Sequence, residues 1–268
     1  MTALLVVVLS GCQSADGPDK ATPSEKPTST ATPAKPAPRP EVGTCRAMTY
    51  KQSSAATDES RRVQCKKDHT AQTFFVDTFA SVIDGHLVTV DSDHAQSQIS
   101  AQCPKHFDDY VGGTEEERRL SMLSVAWFSP TVEQSDAGQD WYRCDITLVS
   151  SPEKLGKLTG DLKGVLDTPE GRDRFGMCST GEPGTPQFKR VVCSSNHSWR
   201  AIGTIDVQPA KGDAYPGLKA AQESGGSCEG DARARADDPL SFRWGYEWPT
   251  KQQWNAGRHY GFCWAPSS

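Results

Sequence analysis

The apolar and polar positions of this chain set out one succession of elements and then repeat it. From Val63 to Phe79, β-branched and aromatic residues dominate, which predicts one or two strands broken near Asp68-His69. His94 to Tyr110 carries Ile99, Cys103 and Phe107 at helical spacing and runs into Gly112-Gly113, so it predicts a helix with Cys103 on its buried face. Leu120 to Phe128 reads as a strand, Pro130-Thr131 open a short helix that Gly138 stops, and Trp141 to Val149 reads as the last strand. The second pass follows suit, with strands in Phe188 to Val207, a helix from Pro216 to about Ala236, a strand at Ser241 to Trp248, a short helix at Thr250 to Asn255 and a strand at His259 to Trp264. Between the passes, Leu155, Leu158 and Leu162 have helical spacing, yet Gly156, Gly160 and Gly164 each weaken a helix by about 1 kcal/mol, so Ser151 to Met177 receives no assignment. Strands separated by helices, with neighbours able to pair antiparallel, predict an α+β fold of two small repeated modules, each a mainly antiparallel sheet covered by a helix.

The cysteines keep the same rhythm. Cys45, Cys65, Cys103 and Cys144 form one quartet and Cys178, Cys193, Cys228 and Cys263 another, each with one shorter gap followed by two longer ones. Val-x-Cys-x-x-x-His recurs at one constant offset, Cys65 to Cys193 and His69 to His197, and Trp127, Pro130-Thr131, Gly138 and Cys144 find counterparts in Trp244, Pro249-Thr250, Gly257 and Cys263. No Cys-x-x-Cys pair exists, so disulfides fit the spacing better than zinc, and crosslinks of this kind persist outside the reducing cytosol. Keeping the pairs within each repeat, and alike in both, leaves three connectivities. First-with-second and third-with-fourth is favoured, because it closes the shorter loop and joins a helix to a later strand. With only 35% apolar residues, each small core benefits from such covalent support.

The amino-terminal end has a different character. Residues 3 to 9 are an apolar run too short to span a bilayer but long enough for a signal-peptide core. It leads into Leu9-Ser10-Gly11-Cys12, which resembles the bacterial lipobox, whose cysteine is diacylated and becomes the first mature residue. No lysine or arginine precedes the run, which points to a translation start slightly upstream. Residues 13–42 hold seven prolines among serine, threonine, alanine and lysine with no aromatic residue, a tether that cannot build a core and reaches roughly 30 to 90 Å. The expected organisation is therefore a lipoprotein signal at 1–12, a tether at 13–42, module 1 at 43–150, a connector at 151–175 and module 2 at 176–268.

Candidate chemistry is thin. Net charge is −5 with no basic cluster, which argues against nucleic acid as a partner. No Gly-x-Ser-x-Gly, His-Glu-x-x-His, phosphate loop or dinucleotide fingerprint is present, so no catalytic residue, no metal site and no cofactor is expected. His69 and His197 occupy equivalent positions in both copies, which favours structural imidazoles over a base or ligand. Cys103-x-x-His106 is half a zinc site with no counterpart in module 2. Glu115-Glu116-Glu117 reads as a solvated loop. Trp127 and Trp244 are expected in the core, while Trp248 and Trp254, flanking Pro249, are a candidate surface for glycan or protein.

Taken together, the lipobox, the Pro/Thr tether, Gly43-Thr44-Cys45, Val63-x-Cys65-x-x-x-His69, Cys103, Trp127, Pro130 to Gly138 and Cys144 resemble the septum-formation-related domain of actinobacterial cell-surface lipoproteins. The resemblance covers about 42 to 150 and returns in 176 to 266, with Gly176-Met177 in place of Gly-Thr before Cys178. It implies an envelope location, a connection with division septa and no established catalytic residue. The expectation is a non-enzymatic binding or scaffold protein held on the outer face of the membrane by an N-terminal lipid, with an envelope protein or wall glycan as partner. The competing expectation is a wall-modifying glycan hydrolase with carboxylates in the cleft between modules.

Overall fold

The computed structural model describes residues 38–267, within the compact unit Ala34–Ser268. Cys12 and most of the Pro-rich stretch lie outside the described residues.

Module 1 runs β1 (Cys45–Ala47), α1 (Tyr50–Ser53), β2 (Arg61–Val63), β3 (Ala71–Thr78), β4 (Val82–Ile83), β5 (His86–Leu87), α2 (Asp93–Val111), α3 (Glu115–Arg119), β6 (Leu123–Phe128), α4 (Val132–Asp136), β7 (Trp141–Ser151) and β8 (Lys154–Leu155). After α5 (Pro169–Phe175), module 2 runs β9 (Met177–Ser179), β10 (Arg190–Val192), β11 (Trp199–Asp206), α6 (Leu218–Glu223), α7 (Cys228–Arg235), β12 (Gly245–Glu247), α8 (Lys251–Asn255) and β13 (Tyr260–Pro266). The first sheet has the order β2-β1-β3-β7-β6, with β8 on β7, and the second β10-β9-β11-β13-β12. Every pairing is antiparallel, and the two orders are the same topology repeated. The fold is α+β, as the periodicities predict.

The four disulfides join Cys45 to Cys65, Cys103 to Cys144, Cys178 to Cys193 and Cys228 to Cys263. In each module one bridge closes the outer hairpin and the other ties the covering helix to the fourth strand. Removing such a bridge from a small domain costs about 2–5 kcal/mol.

The register corrects one sequence match. Cys144 lies opposite Trp127, and Cys263 lies opposite Tyr246, so the structural counterpart of Trp127 is Tyr246 and not Trp244. Trp244 precedes the shortened β12 and is half-buried, whereas Trp127 packs against the main core. The helix expected over Pro216 to Ala236 is broken into α6, a 3-10 turn at Ser224–Ser227, and α7. Gly225 explains the break: a Cβ there would lie 2.2 Å from the Tyr246 ring, so the backbone itself approaches that ring. The unassigned connector supplies β8, a 3-10 turn at Val165–Asp167 and α5, and its Leu158, Leu162 and Leu166 are all fully buried.

The modules share one core but present different faces to it. From sheet 1 the core takes Tyr142, Cys144, Ile146 and Leu148, the face covered by α2 with Ile99, Cys103 and Phe107. From sheet 2 it takes Trp199, Ala201, Phe262 and Trp264, whereas α7 and Cys263 lie on the other face. The backbones join as well, since Met122 N–H donates to Phe175 C=O at 2.7 Å and Met177 N–H to Leu120 C=O at 2.8 Å.

Candidate functional site

The paired histidines sit in the same local geometry. His69 Nδ1 lies 2.9 Å from the Lys67 carbonyl and His197 Nδ1 lies 2.8 Å from the Ser195 carbonyl. A carbonyl only accepts, so each ring donates from Nδ1 and closes the turn that follows its disulfide cysteine. His69 is 1% exposed and forms a β-bridge with Leu158. His197 is half-buried. His106 stacks on Phe75 with centroids 3.6 Å apart, and its neighbour Cys103 is committed to a disulfide.

Trp254 and Trp248 do not form the surface expected of them. Trp254 is 3% exposed, packs with Val207 and Ala221, stacks on His259 at 4.2 Å and donates its indole N–H to the Asp213 carbonyl at 2.9 Å. Trp248 lies half-buried against that cluster. The capping box of Thr250 and Gln253 fixes α8 so that Lys251 and Gln252 face outward and the tryptophan inward.

The cleft between modules, about 330 Å³, brings together carboxylates and arginines. The Glu115-Glu116-Glu117 run is helix α3 and not a solvated loop, because Thr114 caps it and Glu117 bonds back to the Thr114 N–H at 2.7 Å. α3 docks on module 2: Glu116 accepts from the Thr204 N–H at 2.9 Å, and Arg119 pairs with Asp206 at 2.8 Å and lies over the Tyr260 ring. Glu117 also meets Arg172 at 3.1 Å, and Asp173 meets Arg200 at 2.6 Å. The Thr114 backbone N–H is the main cause holding the Glu117 carboxyl below its ordinary range.

Module 1 carries a second charged cluster, which its sequence spacing did not announce. Arg143 pairs with Asp58 and, at 3.2 Å, with Asp145, while Arg46 lies 3.8 Å from Asp58. Thr73 donates its hydroxyl to Asp145 at 2.7 Å, and the Arg143 guanidinium covers the Phe128 ring. Burial pushes the Asp145 carboxyl up, against the pull of Arg143. All four charged side chains are closed off from solvent, so the cluster is a structural buried network.

Among the described residues no group of His, Cys, Asp and Glu is arranged to hold a metal ion, and no helix is long and apolar enough to cross a membrane. The four disulfides and the fold they lace fit an extracytoplasmic setting. No curated protein and no solved structure matches the chain. A family model described as septum formation matches residues 42–263 in one unbroken stretch that takes in both modules and the connector. The chain therefore belongs to the septum formation family.

Proposed function

We propose that the chain is a non-enzymatic extracytoplasmic lipoprotein, tethered through Cys12 to the outer face of the cell membrane, that binds or scaffolds an envelope component in septum or wall assembly. The observation that carries this reading is the occupancy of every carboxylate in the inter-module cleft. Glu116 holds a backbone amide, Glu117 completes a helix cap and an ion pair, and Asp173 is paired with Arg200. Glycan hydrolysis by two carboxyls needs one that keeps its proton near neutral pH to protonate the leaving oxygen. Glu117 is shifted the opposite way, and Asp145, which is shifted upward, has no access to a glycan.

Two measurements test the reading. Incubation with purified wall sacculi is expected to give saturable co-sedimentation and no soluble muropeptide. Release of reducing ends that disappears in Glu117→Gln would establish the hydrolase instead. Separately, Cys12→Ala is expected to move the protein from the membrane fraction to the soluble one. Unchanged membrane partitioning would remove the lipid anchor from the proposal.

A further inference from the structure

The outer, helix-bearing face of sheet 2 holds a groove of about 680 Å³ between β11, the last turn of α7 and residues 241–243. The two modules are comparable here position by position. Phe74 and Ile202 each form the bulge that interrupts pairing with β7 and β13 at the same point, and Cys103 and Cys228 anchor the helices to those strands. Counting from these anchors, Phe107 corresponds to Ala232 and Tyr110 to Arg235. In module 1, Phe74 lies 6.1 Å from the Phe107 ring and 5.6 Å from the Tyr110 ring. In module 2 the smaller Ile202 and Ala232 line the groove without filling it with a ring; Ala232 is buried at its floor, Ile202 is half-buried and Arg235 is exposed.

Module 1 also has an occupant lying across these positions: its own connector. Gly156 N–H donates to the Leu148 carbonyl at 2.7 Å, and Leu158 exchanges two backbone hydrogen bonds with His69, at 3.1 and 2.8 Å. Tyr110 then donates its hydroxyl to Asp161 at 2.9 Å, and Gly164 N–H donates to the Tyr110 carbonyl at 2.7 Å. Leu158 and Leu162 are buried beneath this path. The counterparts of Leu148, His69 and Tyr110 are Ser267, His197 and Arg235, and all three line the groove. Among the described residues His197 takes part in no β-bridge. Of the arginines in the groove, Arg200 and Arg243 already hold Asp173 and Glu182, whereas among the described residues Arg235 reaches only the Ile202 carbonyl, at 3.3 Å, with the exposed Asp237 and Asp238 also lining the groove.

We propose that this groove docks an extended segment of a partner protein along the route that residues 156–164 take over module 1. An apolar side chain seats against Ile202, above the floor that Ala232 forms, where the segment's backbone meets His197, and an aspartate or glutamate three residues later meets Arg235, the spacing of Leu158 and Asp161. Backbone pairing supplies affinity and the two side chains supply selectivity. The inference rests on the binding-module reading and names its ligand class.

The test is selection of random displayed peptides on the folded full-length chain, followed by titration of the enriched peptides against wild type, Arg235→Glu and Ala232→Phe. The expected result is enrichment of an apolar-x-x-acidic spacing. Affinity is expected to fall about tenfold or more in Arg235→Glu, the equivalent of 1.4 kcal/mol, and in Ala232→Phe, which places the module 1 ring in the groove. Arg235 is exposed, so its charge reversal leaves the fold intact even if a ring at position 232 does not. Failure to enrich any motif, or peptides that bind all three proteins alike, would overturn the proposal. So would self-association of the wild type that Arg235→Glu abolishes, since the occupant would then be a second copy of this chain. Absent peptide binding with sacculus binding intact removes the groove alone, whereas muropeptide turnover removes the binding-module reading.

Discussion

Tyr246 sits in a slot cut by two glycines. A Cβ on Gly225 would lie 2.2 Å from its ring and one on Gly261 2.3 Å from its hydroxyl, which bonds Ser224 at 2.9 Å. Gly225→Ala is expected to destabilise the protein by about 1–3 kcal/mol through overpacking. Gly230, inside α7 with nothing near its missing Cβ, is the control: Gly230→Ala is expected to stabilise by up to ~1 kcal/mol, from helix propensity. Urea unfolding of the two variants, with disulfides intact, checks the pair, and shifts of the same sign would refute the slot. Arg143 is the other residue on which much depends, because its removal leaves Asp58 and Asp145 buried and short of a partner. Arg143→Met is expected to cost about 3–5 kcal/mol, the usual loss when one member of a buried pair is deleted. A cost under ~1 kcal/mol in the same unfolding measurement would show that water reaches the cluster.

At the scale of elements, α3 shows how a short acidic run becomes structure. Thr114 caps it, three glutamates occupy the first turn and Arg118 and Arg119 the last, so every charge complements the helix dipole. Glu117 is held below its ordinary range, so its folded carboxyl loses its proton more readily than the unfolded one. Its stabilising contribution is therefore complete at neutral pH and fades as pH falls from about 4.3, the unfolded value, through the lower folded value. The gap in thermal midpoint between wild type and Glu117→Gln is expected to be widest at pH 7 and to close in that acidic window. A gap independent of pH would mean that shape and not charge holds the cap. Apart from β1, β2, β4, β5, β8, β9 and the order within each sheet, which rest on short segments and on pairings remote in sequence, the strands and the disulfide lacing were legible in the sequence, because alternation and cysteine rhythm are local and stated twice. The break at Ser224–Ser227 was not, since Gly225 answers to a ring remote in sequence. The burial of Trp254 escaped because five residues of α8 show too little periodicity to reveal a face, and Trp244 attracted the match with Trp127 by residue type while the register belongs to Tyr246. The groove was illegible for a different reason: it is a deficit of side-chain volume, Ala232 where Phe107 stands, visible only once the register is known.

For the whole molecule, the asymmetry of packing decides what each copy must be. Aligned positions on the fourth strand hold Arg143 and Asp145 in module 1 but Phe262 and Trp264 in module 2: in one copy this face carries the buried charged network, and in the other it enters the shared core. Module 2 thus contributes this face to the core that it shares with module 1. Trp199, Phe262 and Trp264 are each buried, at roughly 2–3 kcal/mol per ring. Together that is on the order of 5–10 kcal/mol, as large as the entire net stability of an ordinary domain; part of it is made inside module 2, where Phe188 meets Trp264 and Tyr260 meets Phe262, and the rest in the core shared with module 1. Residues 176–268 expressed alone under oxidising conditions are therefore expected to lack a cooperative thermal transition and to bind a hydrophobic dye even with both disulfides formed. The full chain is expected to melt in a single transition, its calorimetric and van't Hoff enthalpies agreeing. A fragment that melts cooperatively near the midpoint of the full chain would show that the two copies are independent bodies, and the division of polar and aromatic residues along the fourth strand would then need another cause.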